Sequence, residues 1–214
     1  MKLRFASLSL LALGLMLAAV PAMAQVVYSN GPTNGNTDAW TINYGFIVSD
    51  TFNVANGTTI SGATFAMWLS PTGYPGPCAE CSTSDTLTSA ELSITSSENG
   101  GTSYFDQTVR FSQSGCVMND FGYNVCTETT TFNGPTLNAG TYWLNLQNAS
   151  VPNGEPVYWD ENSGPSMASE NFVGTIPSES FTVLGSSTIP EPNDPALFVS
   201  GFVGLAAVLR RKLF

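Results

Sequence analysis

The chain of 214 residues has no histidine and only six basic residues against 16 acids. Lys2 and Arg4 lie at one end and Arg210, Arg211 and Lys212 at the other, so Arg110 is the single base between them. Residues 25–189 therefore hold 14 acids and one base, a net charge of −13, and no lysine. Such a body cannot hold nucleic acid by neutralising phosphates. It also lacks an imidazole to act as general base or metal ligand, and an amine to form a Schiff base. No catalytic residue and no organic cofactor is assigned. Long apolar runs are scarce as well, with one short run at each end.

The N-terminal run reads as a secretory signal. Lys2 and Arg4 precede an apolar stretch from Leu8 to Val20, followed by Pro21-Ala22-Met23-Ala24 with small residues where signal peptidase reads. About 13 apolar residues at 1.5 Å each reach about 20 Å, short of a hydrocarbon core of about 30 Å. Residues 1–24 are thus expected to be removed by signal peptidase between Ala24 and Gln25.

The C-terminus combines Pro190-Glu191-Pro192, an apolar stretch from Ala196 to Leu209, and the basic stop Arg210-Arg211-Lys212. The two prolines keep their segment extended and readable by a receptor. The basic end should remain cytoplasmic, leaving everything before Pro190 on the exported side. At about 21 Å the stretch suits a transient hold in the inner membrane better than a permanent anchor. This tripartite tail resembles the PEP-CTERM sorting signal of Gram-negative bacteria, with Pro190, Glu191 and Pro192 matching its motif. The resemblance implies an exosortase-type membrane protease that trims the tail and delivers the body to the cell surface or extracellular matrix.

The resulting division is a signal peptide (1–24), an ectodomain (25–185), a linker (186–189) and a sorting signal (190–214). The ectodomain shows short alternating runs separated by Gly, Asn, Pro and Ser clusters, and no long helical period. Phe46, Val48, Phe52 and Val54 share one parity, as do Ala63, Phe65, Met67 and Leu69. Ala90, Leu92 and Ile94 follow, then Val109 and Phe111, Val125, Tyr142, Leu144 and Leu146, and finally Phe181 and Val183. Asn56-Gly57, Asn99-Gly100-Gly101, Asn133-Gly134-Pro135 and Asn138-Ala-Gly140 read as tight connections. Eight to ten antiparallel strands hiding one face require a second sheet, so the expected fold is all-β, a single jelly-roll-like β-sandwich. The ectodomain is also similar to that of a group of PEP-CTERM proteins through Tyr28–Pro32, Thr37–Asn43, Gly140–Asn148 and Pro156–Asn162. That similarity implies a folded surface domain and no activity.

Four cysteines in an exported chain point to disulfides, with three possible connectivities. A three-residue turn ending in Gly122 would set Cys116 across from Cys126, which leaves Cys78 with Cys81. Pro77-Cys-Ala-Glu-Cys81 also has redox-dithiol spacing, but no neighbouring base lowers a thiol pKa. The second pair, nine residues apart, does not suit a four-cysteine zinc site.

For binding, Asp160, Glu161 and Asn162 offer the hard oxygen ligands of calcium. Trp143 and Trp40 are candidates for stacking on a sugar or a protein, and exopolysaccharide is the candidate matrix partner. Asp160 and Glu161 also suggest paired glycosidase carboxylates, yet strand neighbours point to opposite faces, so a partner would have to come from Glu155, Glu170 or Glu179. The bland alternative places Trp159 in the core and both acids in solvent. The sequence thus favours a non-catalytic exported surface or matrix protein. A calcium-assisted carbohydrate-binding module is second and an extracellular glycoside hydrolase third.

Overall fold

The structure is a computed structural model and describes residues 24–72 and 83–187. The sorting motif, the basic stop, the apolar stretches and the Cys78–Cys81 pairing lie outside the described residues. Within them the chain is all-β and antiparallel. The strands are β1 (Gln25–Ser29), β2 (Ala39–Thr41), β3 (Val48–Val54), β4 (Thr58–Leu69), β5 (Pro71–Thr72), β6 (Thr83–Ser84), β7 (Ser89–Ser97) and β8 (Gly100–Arg110). They continue with β9 (Ser112–Met118), β10 (Asn124–Thr131), β11 (Thr136–Leu137), β12 (Gly140–Ser150), β13 (Tyr158–Asp160), β14 (Ala168–Glu170), β15 (Gly174–Ile176) and β16 (Phe181–Ser187).

Two sheets supply one shared core in a sandwich-like arrangement. The first runs β1-β16-β4-β10-β9, with β13, β2 and β11 attached, and the second runs β15-β14-β3-β12-β7-β8. Period-two alternation explains the core, since alternate side chains of a strand face one side. Val48, Phe52 and Val54 of β3 and Leu144 and Leu146 of β12 meet Ala63, Phe65, Met67 and Leu69 of β4 there. Trp159 lies against Phe65 and Phe181 with ring centroids 5.3 and 5.5 Å away. These edge-to-face contacts suit the ring quadrupoles. Phe46 leaves the pattern and is exposed, packing edge-on to Phe172. Val125 also departs from expectation. Cys126 pairs with Met67, which turns Cys126 inward and places Val125 on the outer face with Ala66 and Trp68.

The strands outnumber the eight to ten expected, because short segments such as β2, β13, β14 and β15 extend the sheet edges. β5 and β6 close the base of the segment 73–82, with Pro71 opposite Ser84. Two of the expected connections carry positive φ, at Gly57 and at Asn99 with Gly101. Gly134 has another role, for a Cβ there would lie 2.6 Å from the Ile60 carbonyl oxygen.

The strand β4 organises the region of interest. On one edge it pairs first with β16, ending at Phe65 opposite Phe181, and then with β13, where Met67 faces Trp159. The ladder passes from one strand to the other between these points, and Ala66 N–H donates to Ser180 O there. Just beyond the handover, Glu161 and Glu179 form an isolated antiparallel bridge.

Candidate functional site

Alternation along β13 decides what the polar and aromatic cluster does. Trp159 points into the core, so Tyr158 and Asp160 face outward and Glu161 turns back between the sheets. On the outer face, Tyr158 of β13 sits beside Trp68 of β4, its register partner. The β9–β10 hairpin adds Phe121 and Tyr123. Phe121 stacks on Trp68 at 5.5 Å with an interplanar angle of 24°, and Tyr123 meets Tyr158 edge-on at 5.4 Å. With Thr37, Asp38 and Ala39 these rings line an open groove of about 380 Å³. Burial first, and then the Tyr123 hydroxyl, push the Tyr158 hydroxyl up to about 12, so it stays a neutral donor.

The hairpin tip is held firmly. A three-residue turn of Asp120, Phe121 and Gly122 closes on a bond from Asn119 N–H to Tyr123 O, with Gly122 at φ 84°. The Asn119 side-chain oxygen accepts from the backbone N–H groups of Phe121 and Tyr123, and its amide donates to Gly35 O at 3.0 Å. Below the tip, Gly115 and Cys116 bulge opposite Cys126, and a disulfide joins the two cysteines with Cα atoms 4.0 Å apart.

Asp160 is fully buried beneath the groove. Its Oδ1 accepts from Trp68 Nε1 at 2.7 Å and from Gly35 N–H at 2.9 Å, and its Oδ2 accepts from Asn34 N–H at 2.9 Å. Burial raises its pKa while these three donors oppose the rise. Both oxygens are therefore spent fixing the Trp68 ring and the 34–35 loop. Asn162 is similarly engaged. Its amide donates to Asn30 O and Pro32 O, and its oxygen accepts from Gly164 N–H and Ser178 Oγ.

The three residues expected as calcium ligands are thus not gathered around one point. Among the described residues, no group of three or more carboxylates and thiolates is spaced to hold a metal ion. Asp160 and Glu161 are both buried, in place of the solvent exposure considered for them. Of the suggested partners, Glu179 meets Glu161, whereas Glu155 is exposed and Glu170 caps its own turn by accepting from Phe172 and Val173 N–H.

Trp143 lies half-buried on β12 between Thr51 and Thr95, away from the groove. Trp40 is half-buried against the core, and its indole N–H points at Glu161 Oε2, 3.4 Å away. Neither contributes to the groove. The sequence presents Phe121 and Tyr123 only as turn residues between two cysteines, and nothing in it marks them for a shared surface. Their neighbours Trp68 and Tyr158 come from strands 90 residues apart.

The segments 28–32, 37–43 and 156–162 converge here. Thr41, Trp40 and Ala39 pair with Tyr158, Trp159 and Asp160, and Asn30 donates to both Glu179 O and Asp50 Oδ2. No family model matches the chain, and no curated protein matches it.

Proposed function

We propose that this chain is an exported, non-catalytic cell-surface or extracellular-matrix protein with a jelly-roll-like ectodomain, trimmed at Pro190-Glu191-Pro192 by an exosortase-type enzyme. The observation that carries the reading is the order of motif, short apolar stretch and three cations after an amine-poor acidic body. Two features of the ectodomain support it. β1 opens at Gln25, the residue that signal cleavage would expose, and Cys116–Cys126 is a disulfide of the kind oxidising compartments preserve. The strand orders β1-β16-β4-β10 and β3-β12-β7-β8, in which every connection among these eight strands crosses between the sheets except the β7–β8 hairpin, support the jelly-roll reading. Intact-mass measurement on the native product from envelope and matrix fractions is the test. The expected mass lacks residues 1–24 and 196–214. A reduced intracellular product retaining both ends overturns the proposal.

A second reading, carbohydrate binding, draws support from the groove. Rigid rings at an outer face offer stacking surfaces for sugar C–H groups, and Asp38 supplies a polar edge. The charge of the body favours a neutral polysaccharide over an anionic one.

A further inference from the structure

The space between the sheets near the Glu161–Glu179 bridge contains an unusual concentration of acid. Bridge partners on antiparallel strands project to the same face, so both side chains enter the inter-sheet space that Phe181 and Val183 occupy further along β16. From the opposing sheet, β3 brings Asp50, which shares the inward parity of Val48 and Phe52. Asp50 and Glu179 have no accessible surface, and Glu161 keeps 9% at the rim.

These three acids differ in how they are satisfied. Asp50 is used up, since Oδ1 accepts from Thr51 N–H at 2.6 Å and Oδ2 from Glu179 N–H at 2.7 Å and Asn30 Nδ2 at 3.3 Å. Glu179 is the opposite case, with neither carboxylate oxygen hydrogen-bonded. Its pKa is raised well above the usual carboxylate range, first by burial and then by Asp50, Glu161, Asp160 and Asp38. Glu161 is raised as well, chiefly by burial. An uncompensated buried carboxylate costs several kcal/mol. No base is near enough to offset it. Arg110, the only basic residue among those described, lies on edge strand β8, with β12 and β7 between it and β3. At ~4.8 Å per strand that is roughly 14 Å.

We propose that Glu161 and Glu179 hold a divalent cation of the calcium type between the two sheets, with water and backbone oxygens completing its shell. The chemistry fits, because both ligands are hard oxygens and calcium tolerates irregular geometry. Glu161 at the rim provides the entry path and Glu179 the inner ligand. Asp50 behind them adds negative potential without coordinating. A cation bound here would tie β13 and β16 together where both leave β4. Such a site depends on neither export nor the groove, and its absence would leave both intact.

The test is calorimetric titration of the full-length chain, stripped with EDTA, with calcium and then magnesium chloride at neutral pH, alongside thermal melts in each salt. One calcium per chain and a raised melting temperature are expected. Glu161→Gln should weaken calcium binding by about tenfold or more while melting in EDTA no lower than wild type. Glu179→Gln should abolish binding. If that variant does not fold, Glu161→Gln decides alone. No heat and no melting shift with either ion overturns the proposal and leaves a proton as what neutralises the pair. Calcium binding that Glu161→Gln leaves unaltered overturns it too, by placing the ion elsewhere.

Discussion

Trp68 donates its indole N–H to Asp160 at 2.7 Å, so a buried carboxylate fixes the ring on which Phe121 stacks. The outer-face groove and the polar interior of the sheet edge are thereby mechanically joined. Asp160 also holds the loop that leads into the groove residues Thr37 and Asp38, through the N–H groups of Asn34 and Gly35.

Asp160→Ala should therefore be costly. It strands three donors, one of them an indole in a fully buried setting, and each unsatisfied group costs about 1–3 kcal/mol. A loss of about 3 kcal/mol or more is expected from urea unfolding followed by tryptophan fluorescence. A loss below about 1 kcal/mol would mean that water replaces the carboxylate.

Phe121→Ala should separate binding from folding. The side chain is 59% exposed, so truncation should change stability by less than about 1 kcal/mol. On a glycan array, any signal shown by the parent protein should disappear in this variant and persist in Trp143→Ala, which lies on the other sheet.

The Cys116–Cys126 disulfide should stabilise both the domain and the groove. The bond closes a short loop with a sequence separation of 10, for which chain entropy suggests about 3 kcal/mol. Changing both cysteines to serine should lower the melting temperature and loosen the tip that carries Phe121. Hydrogen exchange at Tyr123 N–H, bonded to the Asn119 side chain, reports the second effect.

Stability should fall as pH rises across the neutral range. Glu128 is fully buried on β10, has neither carboxylate oxygen bonded, and is pushed by burial from 4.5 up to about 8. Its folded form keeps a proton that the unfolded chain releases. The associated stability is thus complete below about 4.5 and is lost as pH climbs to about 8. Asp50, raised to about 6 mainly by burial, adds the same sign at lower pH. In EDTA, denaturant midpoints should drop through this window. Glu128→Gln should remove up to one proton's share of the slope, about 1.4 kcal/mol per pH unit.

Much of the core was legible from alternation. Ala63, Phe65, Met67 and Leu69 face inward as the pattern requires, and the turn at Gly122 brings Cys116 to Cys126. The same rule turns Asp50 and Glu128 inward. Asp50 occupies the missing inward position between Val48 and Phe52, and Glu128 shares the parity of Cys126. An acid at an inward position of an alternating run was the signal. The groove gave no such signal, because no local periodicity places Phe121 over Trp68.

The sequence by itself determined the short apolar runs near the two ends, the acidic and imidazole-free character of the body, and which side chains within a strand share a face. Those properties depend on local order along the chain. Only the tertiary structure decided that Glu161 would meet Glu179, that Asp160 would be spent on Trp68, and that four rings from three segments would form one groove. Those contacts depend on which strands become neighbours across β4, and pairing between distant strands leaves no mark in the spacing of residues along any one of them.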